Sequence, residues 1–159
     1  MSAVVDPGRS GRVCPRVWNH RAIVEEGLAA LAAGGGPGAP LIDGRILGVR
    51  GTPADGTTNH MAVGLSVLPA GYATPAHHHI AEELATVLAG RGVIVIDGTD
   101  YPVGPGSVVL TPSMSEHVTI ASEDEPMVVW WVYAPAGSED RWLVEDPGRT
   151  DRGATRTNR

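Results

Sequence analysis

From Pro40 onward the chain is a succession of apolar runs of roughly five to eight residues, each closed by Gly, Pro, Asp or Thr. They read LIDGRILGVR, HMAVGLSVL, ELATVLAG, GVIVIDG, SVVLTP, HVTIAS and PMVVWWVYA. Val and Ile dominate, no helical period develops, and turn signals return about every 8 to 12 residues, which predicts an all-β sandwich or barrel. In IDGTDYPV, Asp97-Gly98 stands between two runs and predicts a tight hairpin, because both positions accept the positive φ of a type I′ turn. With 21 Gly and 13 Pro the chain has turn formers enough for many short strands. No internal repeat is visible.

One upstream segment differs. Residues 18–33 (WNHRAIVEEGLAALAA) are rich in Ala, Leu and Glu and set Val24, Leu28 and Leu31 four and three apart, which predicts an amphipathic helix. The run GGGPG at residues 34–38 ends it. Its expected role is to cover an open end of the downstream β structure. Residues 1–16 and 147–159 mix Gly, Pro, Arg and polar residues without a period and are expected to be loose; Cys14 lies in the first and takes no role. The expected organisation is a terminal segment at 1–16, helix and linker at 17–39, a β barrel at 40–146 and a tail at 147–159.

A chain of 159 residues has room for one domain, and 42% hydrophobic residues against 19% charged ones give it a core. The net charge of -6 leaves no basic field to draw nucleic acid. All twelve basic residues are Arg, so Schiff-base, pyridoxal-phosphate and phosphate-loop lysines are excluded. A single cysteine allows neither an internal disulfide nor a thiolate metal cage. No apolar stretch approaches the ~20 residues of a membrane span, and the N-terminus lacks an apolar block with a cleavage site, so a cytoplasmic location without membrane contact is expected.

Chemistry concentrates on the histidines. His77, His78 and His79 are adjacent, Glu82 and Glu83 follow, His117 lies far downstream and His60 upstream. Side chains alternate along a strand, so His77 and His79 share one face and His78 takes the other. Glu83 has the same parity as the pair, but a turn at Ile80-Ala81 would break the register, so parity does not choose between Glu82 and Glu83. Two imidazoles, a carboxylate and a distant imidazole converging in a small barrel make a site for a divalent transition metal.

The segment GYATPAHHHIAEELATVLAG resembles the first motif of the cupin superfamily, GxxxxxHxHxxxExxxxxxG, with Gly71, His77, His79, Glu83 and Gly90 in its fixed positions. The segment GSVVLTPSMSEHVTIA resembles the second, GxxxxxPxGxxHxxxN, through Gly106, Pro112 and His117; Met114 stands where the family has Gly, and Ala121 where it has Asn. The resemblance spans about residues 45–135. It implies a jelly-roll barrel (a double-stranded β-helix) behind the short helix, with His77, His79, Glu83 and His117 as metal ligands and one or two coordination positions open. It selects Glu83 over Glu82 and leaves His78 and Glu82 facing solvent or standing behind the ligands. Met114 implies a different turn or a bulkier pocket mouth.

By the usual cupin pattern, Met127, Val129, Trp131 and Tyr133 face the barrel interior and Trp130 faces out, toward the helix or a second subunit. Trp131, Tyr133, His60, Met114 and Arg50 are the expected substrate-pocket residues, with His60 the candidate acid or base and Arg45 or Arg50 a carboxylate clamp. The expected function is a metal-dependent enzyme on a small molecule. An Fe(II) oxygenase or dioxygenase comes first; a redox-neutral cyclase, isomerase or lyase using Zn, Ni, Mn or Co, of the sort that tailors polyketides, comes second, and a non-catalytic binding cupin third. A homodimer would cover strand edges.

Overall fold

A computed structural model describes residues 16–140. The expected loose ends, Arg16 aside, lie outside the described residues, as does Cys14. Helix α1 spans His20–Ala32, and nine strands follow: β1 (Leu41–Ile42), β2 (Arg45–Gly51), β3 (Ala62–Leu68), β4 (Glu82–Ala89), β5 (Gly92–Ile96), β6 (Thr99–Val103), β7 (Val108–Thr111), β8 (His117–Ala121) and β9 (Met127–Ala134). They form two antiparallel sheets, one in the order β1-β2-β3-β9-β4-β7 and a smaller one in the order β6-β5-β8. This is the all-β jelly roll with one helix that the apolar runs and the cupin motifs imply. No described helix is long and apolar enough to cross a membrane.

Each strand's alternation separates an inner face from an outer one. On β9, Met127, Val129, Trp131 and Tyr133 are buried in the space between the sheets, whereas Val128 packs outward and Trp130 sets its ring 5.3 Å from Trp18. On β4 the inner row is Glu83, Ala85 and Val87. The Asp97-Gly98 hairpin forms as expected, with φ of 48° and 77° and Ile96 paired to Thr99. Pro102 sits on β6, an edge strand, where a missing N–H costs no ladder bond.

The helix departs from expectation in its face and its place. Asn19 caps it by accepting from the Ala22 N–H. Its buried positions are Ile23 and Gly27, with Val24, Ala30 and Leu31 packed partly beside them, while Leu28 is exposed. Gly27 causes the shift: a Cβ there would lie 2.8 Å from Val67 Cγ2, so the helix comes down on the sheet at its smallest residue. Rather than cover an open end, α1 lies on the outer face of the large sheet, over Ile46, Leu65, Val67 and Val128.

Gly64 makes a second close approach. A Cβ there would come within 2.0 Å of the Trp131 ring, so the indole lies flat over bare backbone. Gly64→Ala is expected to destabilise the fold by about 1–3 kcal/mol through overpacking, read as a lower thermal midpoint. Gly36→Ala, at a position with open space around it, is expected to leave the midpoint unchanged.

Candidate metal centre

Four side chains from three parts of the chain meet between the sheets. Glu83 comes from β4 of the large sheet and His117 from the first residue of β8 in the small one. His77 and His79 lie on the connection between β3 and β4, which runs beside β8. His77 and His117 exchange backbone hydrogen bonds, N to O at 3.2 and 2.8 Å, and the Thr74 N–H donates to the Thr119 carbonyl at 3.0 Å. The bend expected after His79 is present at residues 80–81, and beyond it Glu83 still points inward while His78 and Glu82 are exposed.

The imidazoles are fixed from behind. Their Nδ1 atoms lie 2.8 Å from Pro75 O, 2.8 Å from Ala81 O and 3.0 Å from Ser115 O for His77, His79 and His117. A carbonyl can only accept, so each Nδ1 carries a proton and each ring turns its Nε2 toward the centre, where it can serve as a metal ligand. One ligand atom from each histidine falls within 4.8 Å of the others, a grouping that could hold a metal ion. Glu83 Oε2 stands 3.1 Å from His79 Nε2 and 3.3 Å from His117 Nε2. The second contact lacks hydrogen-bond direction, leaving the buried His117 Nε2 without a hydrogen-bond partner. A buried, unpartnered ring nitrogen of this kind, on a ring whose opposite nitrogen is held by a carbonyl, suits a divalent cation.

The charges respond to one another. Burial pushes the Glu83 carboxyl up, but the contacts and charges of His117 and His79 outweigh it and hold the group at about 2. Burial pushes His117 down, yet the contact with Glu83, the Ser115 carbonyl and the charges of Glu83 and Asp97 raise it above the usual 6.5. Without a metal the carboxylate and a proton on His117 therefore stabilise each other.

A model of the cupin domain matches residues 64–133, the stretch that holds every one of these residues. The chain is a member of the cupin superfamily. Among solved structures it is similar to an RmlC-like cupin from Shewanella frigidimarina, with a TM-score of 0.55 at 14% identity over 64% of this chain and 85% of that one. It is similar to the plu4264 protein from Photorhabdus luminescens, with a TM-score of 0.55 at 20% identity over 67% and 88%. It also resembles the DMSP lyase DddQ from Ruegeria pomeroyi at 29% identity, with a TM-score of 0.47 over 51% of this chain; it spans only 41% of that lyase. These likenesses are of fold. No curated protein matches the chain in sequence.

Around the centre of this cupin lies a cavity of about 40 Å³, walled by Trp131, Tyr133, Leu47, Leu68 and Val129, with Ser66, Thr74, Thr119 and Arg45 adding polar groups. Trp131 and Tyr133 stack with ring centroids 4.6 Å apart, and Tyr133 sits 4.7 Å from the His79 ring. Three expected pocket residues are elsewhere. His60 is exposed in a bend ahead of β3, where its carbonyl accepts from the Ala136 N–H. Arg50 is on the outer face of β2, donating to the Gly38 carbonyl and lying 3.6 Å from Glu26 on α1.

Met114 takes φ of +64°, the left-handed region that favours glycine, which turns its side chain into solvent, while its N–H donates to the His79 carbonyl at 2.9 Å. Its contribution is backbone support of a ligand, not a pocket wall. The sequence does not mark Arg45, Ser66, Thr74 and Thr119 as pocket residues; Arg45 figures there only as a clamp alternative to Arg50. The parity of Arg45 with Leu47 and Val49 is the signal that it points inward.

A depressed carboxyl contributes stability above its unfolded value near 4.5 that is lost as pH falls toward about 2. A raised imidazole contributes stability below 6.5 that is lost as pH climbs through its folded value. Metal-stripped protein is therefore expected to be most stable between these limbs. Thermal melts across pH should show Glu83→Gln flattening both; unchanged limbs would mean that the pair does not interact.

Proposed function

We propose that this cupin is a metal-dependent enzyme acting on a small organic molecule by redox-neutral chemistry of the lyase, isomerase or cyclase kind. The observation that carries the reading is the set of three carbonyl-pinned imidazoles whose ligand atoms lie within 4.8 Å of one another beside one carboxylate. His77, His79, His117 and Glu83 would hold a first-row divalent ion, which would supply Lewis-acid polarisation of a carbonyl or enolate and acidify a bound water. The Trp131–Tyr133 stack and Val129 form an apolar wall beside the candidate ligands. Tyr133 and the threonines offer hydroxyls that can donate to or accept from substrate oxygens.

The ligand set allows two chemistries. Fe(II)-dependent oxygenation is the second reading.

Protein purified without added metal is expected to hold about one divalent ion per chain, with His77→Ala and His117→Ala each losing most of it. Turnover, once a substrate is found, should persist without oxygen. Stoichiometric iron with oxygen uptake would make oxygenation the function. A chain that never binds a metal would leave a non-catalytic binding module.

We also propose that two copies pair. Leu84 and Leu110 are opposite each other on β4 and β7, Val108 is next on the same face, and all three are exposed at the edge of the large sheet. An exposed apolar strip beside β7, an edge strand among the described residues, suits a second copy. Light scattering should give a dimer that Leu110→Glu converts to a monomer; a wild-type monomer at micromolar concentration would refute the pairing.

A further inference from the structure

We infer that Ser66 and Thr119 set the specificity of the site and that what they read is a hydroxyl group on the substrate, an inference resting on the metal-enzyme reading above. Both line the cavity that His77, Glu83 and His117 also line. Ser66 comes from β3 of the large sheet and Thr119 from β8 of the small one, so the cavity has a hydroxyl on each side of the gap between the sheets.

Strand alternation gives both side chains their direction. On β8, Thr119 stands between His117 and Ala121 in the row that points between the sheets. On β3, Ser66 shares the inward row with Gly64 and Leu68, while Leu65 and Val67 go to the outer face under α1. Its partners across the ladder are Leu47 on β2 and Val129 on β9, both apolar walls of the same cavity. A serine set among those neighbours gains nothing from packing, so its hydroxyl is what distinguishes it from alanine there.

The hydroxyls are placed but not spent. The Thr119 backbone is fixed by Thr74, whose N–H donates to the Thr119 carbonyl at 3.0 Å and whose Oγ1 accepts from the Thr119 N–H at 2.9 Å. Neither the Ser66 nor the Thr119 hydroxyl has a hydrogen-bond partner among the described residues. Neither oxygen is sealed away, for the buried side-chain atom left without a partner is His117 Nε2. Both therefore reach the cavity with their hydrogen-bonding capacity intact.

Neutral hydroxyls select by hydrogen bonding rather than by charge. Each can donate and accept, so a substrate hydroxyl can accept from one and donate to the other whichever way the two rotors turn. A methyl group in its place would leave both unpaired beside Leu47, Leu68 and Val129, and unpaired polar groups are what make a site reject such an analogue.

The test is isothermal titration of the zinc-loaded full chain with glycolate and with propionate, which share a carboxylate for the metal and differ by a hydroxyl in place of a methyl, with metal content measured on every sample. Wild type is expected to prefer glycolate. Ser66→Ala and Thr119→Val are each expected to weaken glycolate about fivefold while leaving propionate affinity and metal content unchanged, and Thr119→Ser is expected to keep the preference. Should Thr119→Val fail to fold, Ser66→Ala alone carries the test. Equal affinities in wild type, or a glycolate preference that survives loss of these hydroxyls and so belongs to chelation by the metal, would overturn the assignment while leaving the metal site standing. Wild-type protein that takes up no zinc would remove the metal reading and this inference together.

Discussion

The reciprocal backbone hydrogen bonds between His77 and His117 are the constraint on which the site depends. They dock the β3–β4 connection onto β8, so that a segment without strand geometry of its own becomes, locally, a member of the small sheet. Two of the candidate ligands are set by that pairing. Glu83 arrives from the opposite sheet through its β4 register with Thr111 and Tyr133. The centre therefore straddles the gap between the sheets, and whatever holds the sheets together also holds the donor atoms in place. The core around Val87, Ile94 and Met127 closes the space on one side, and the cluster around Ile42, Ala62, Trp131 and Tyr133 closes it on another.

Orientation of the ligands is a separate matter from their position, and the backbone handles both. Each imidazole is turned by a carbonyl within two residues of itself. Such short-range bonds survive modest shifts of the sheets and fix the tautomer without recruiting another buried carboxylate. Met114 adds to this arrangement by holding the His79 carbonyl from a strained backbone position. A residue that sequence comparison marks as a departure thus retains a structural task, because that task belongs to its N–H and not to its side chain.

Legibility in the sequence followed the length scale of the interaction. The strand runs, the Asp97-Gly98 hairpin and the spacing of His77, His79 and Glu83 are local patterns, and each appears in the structure where the pattern puts it. The buried helix face was illegible because Gly27 makes the closest approach and carries no hydrophobic signal. Arg45 and Arg50 look alike in sequence, yet inward parity on β2 puts Arg45 in the cavity, while Arg50, at the register shift between Val49 and Gly51, lies against Glu26 on the helix. Telling them apart requires knowing which face of β2 is inside, and that is decided by Leu65, Val67 and Ile46 packing under α1. His60 failed for a similar reason: it stops short of β3, so strand alternation never applies to it.

What the cavity contains also bears on why it exists. Burying a guanidinium, a carboxylate and three imidazoles in a barrel of this size costs stability that an apolar filling would not. Leu47, Leu68 and Val129 line part of the same wall, so apolar packing was structurally available beside these groups. The large aromatic Trp131 is admitted only because residue 64 has no side chain, and the space left over is kept small. Polar groups retained at that cost are what the proposed metal site requires: the barrel gives up packing energy at its centre, while the helix-covered outer face, with Ile46, Leu65, Val67 and Val128 fully buried, supplies apolar burial elsewhere.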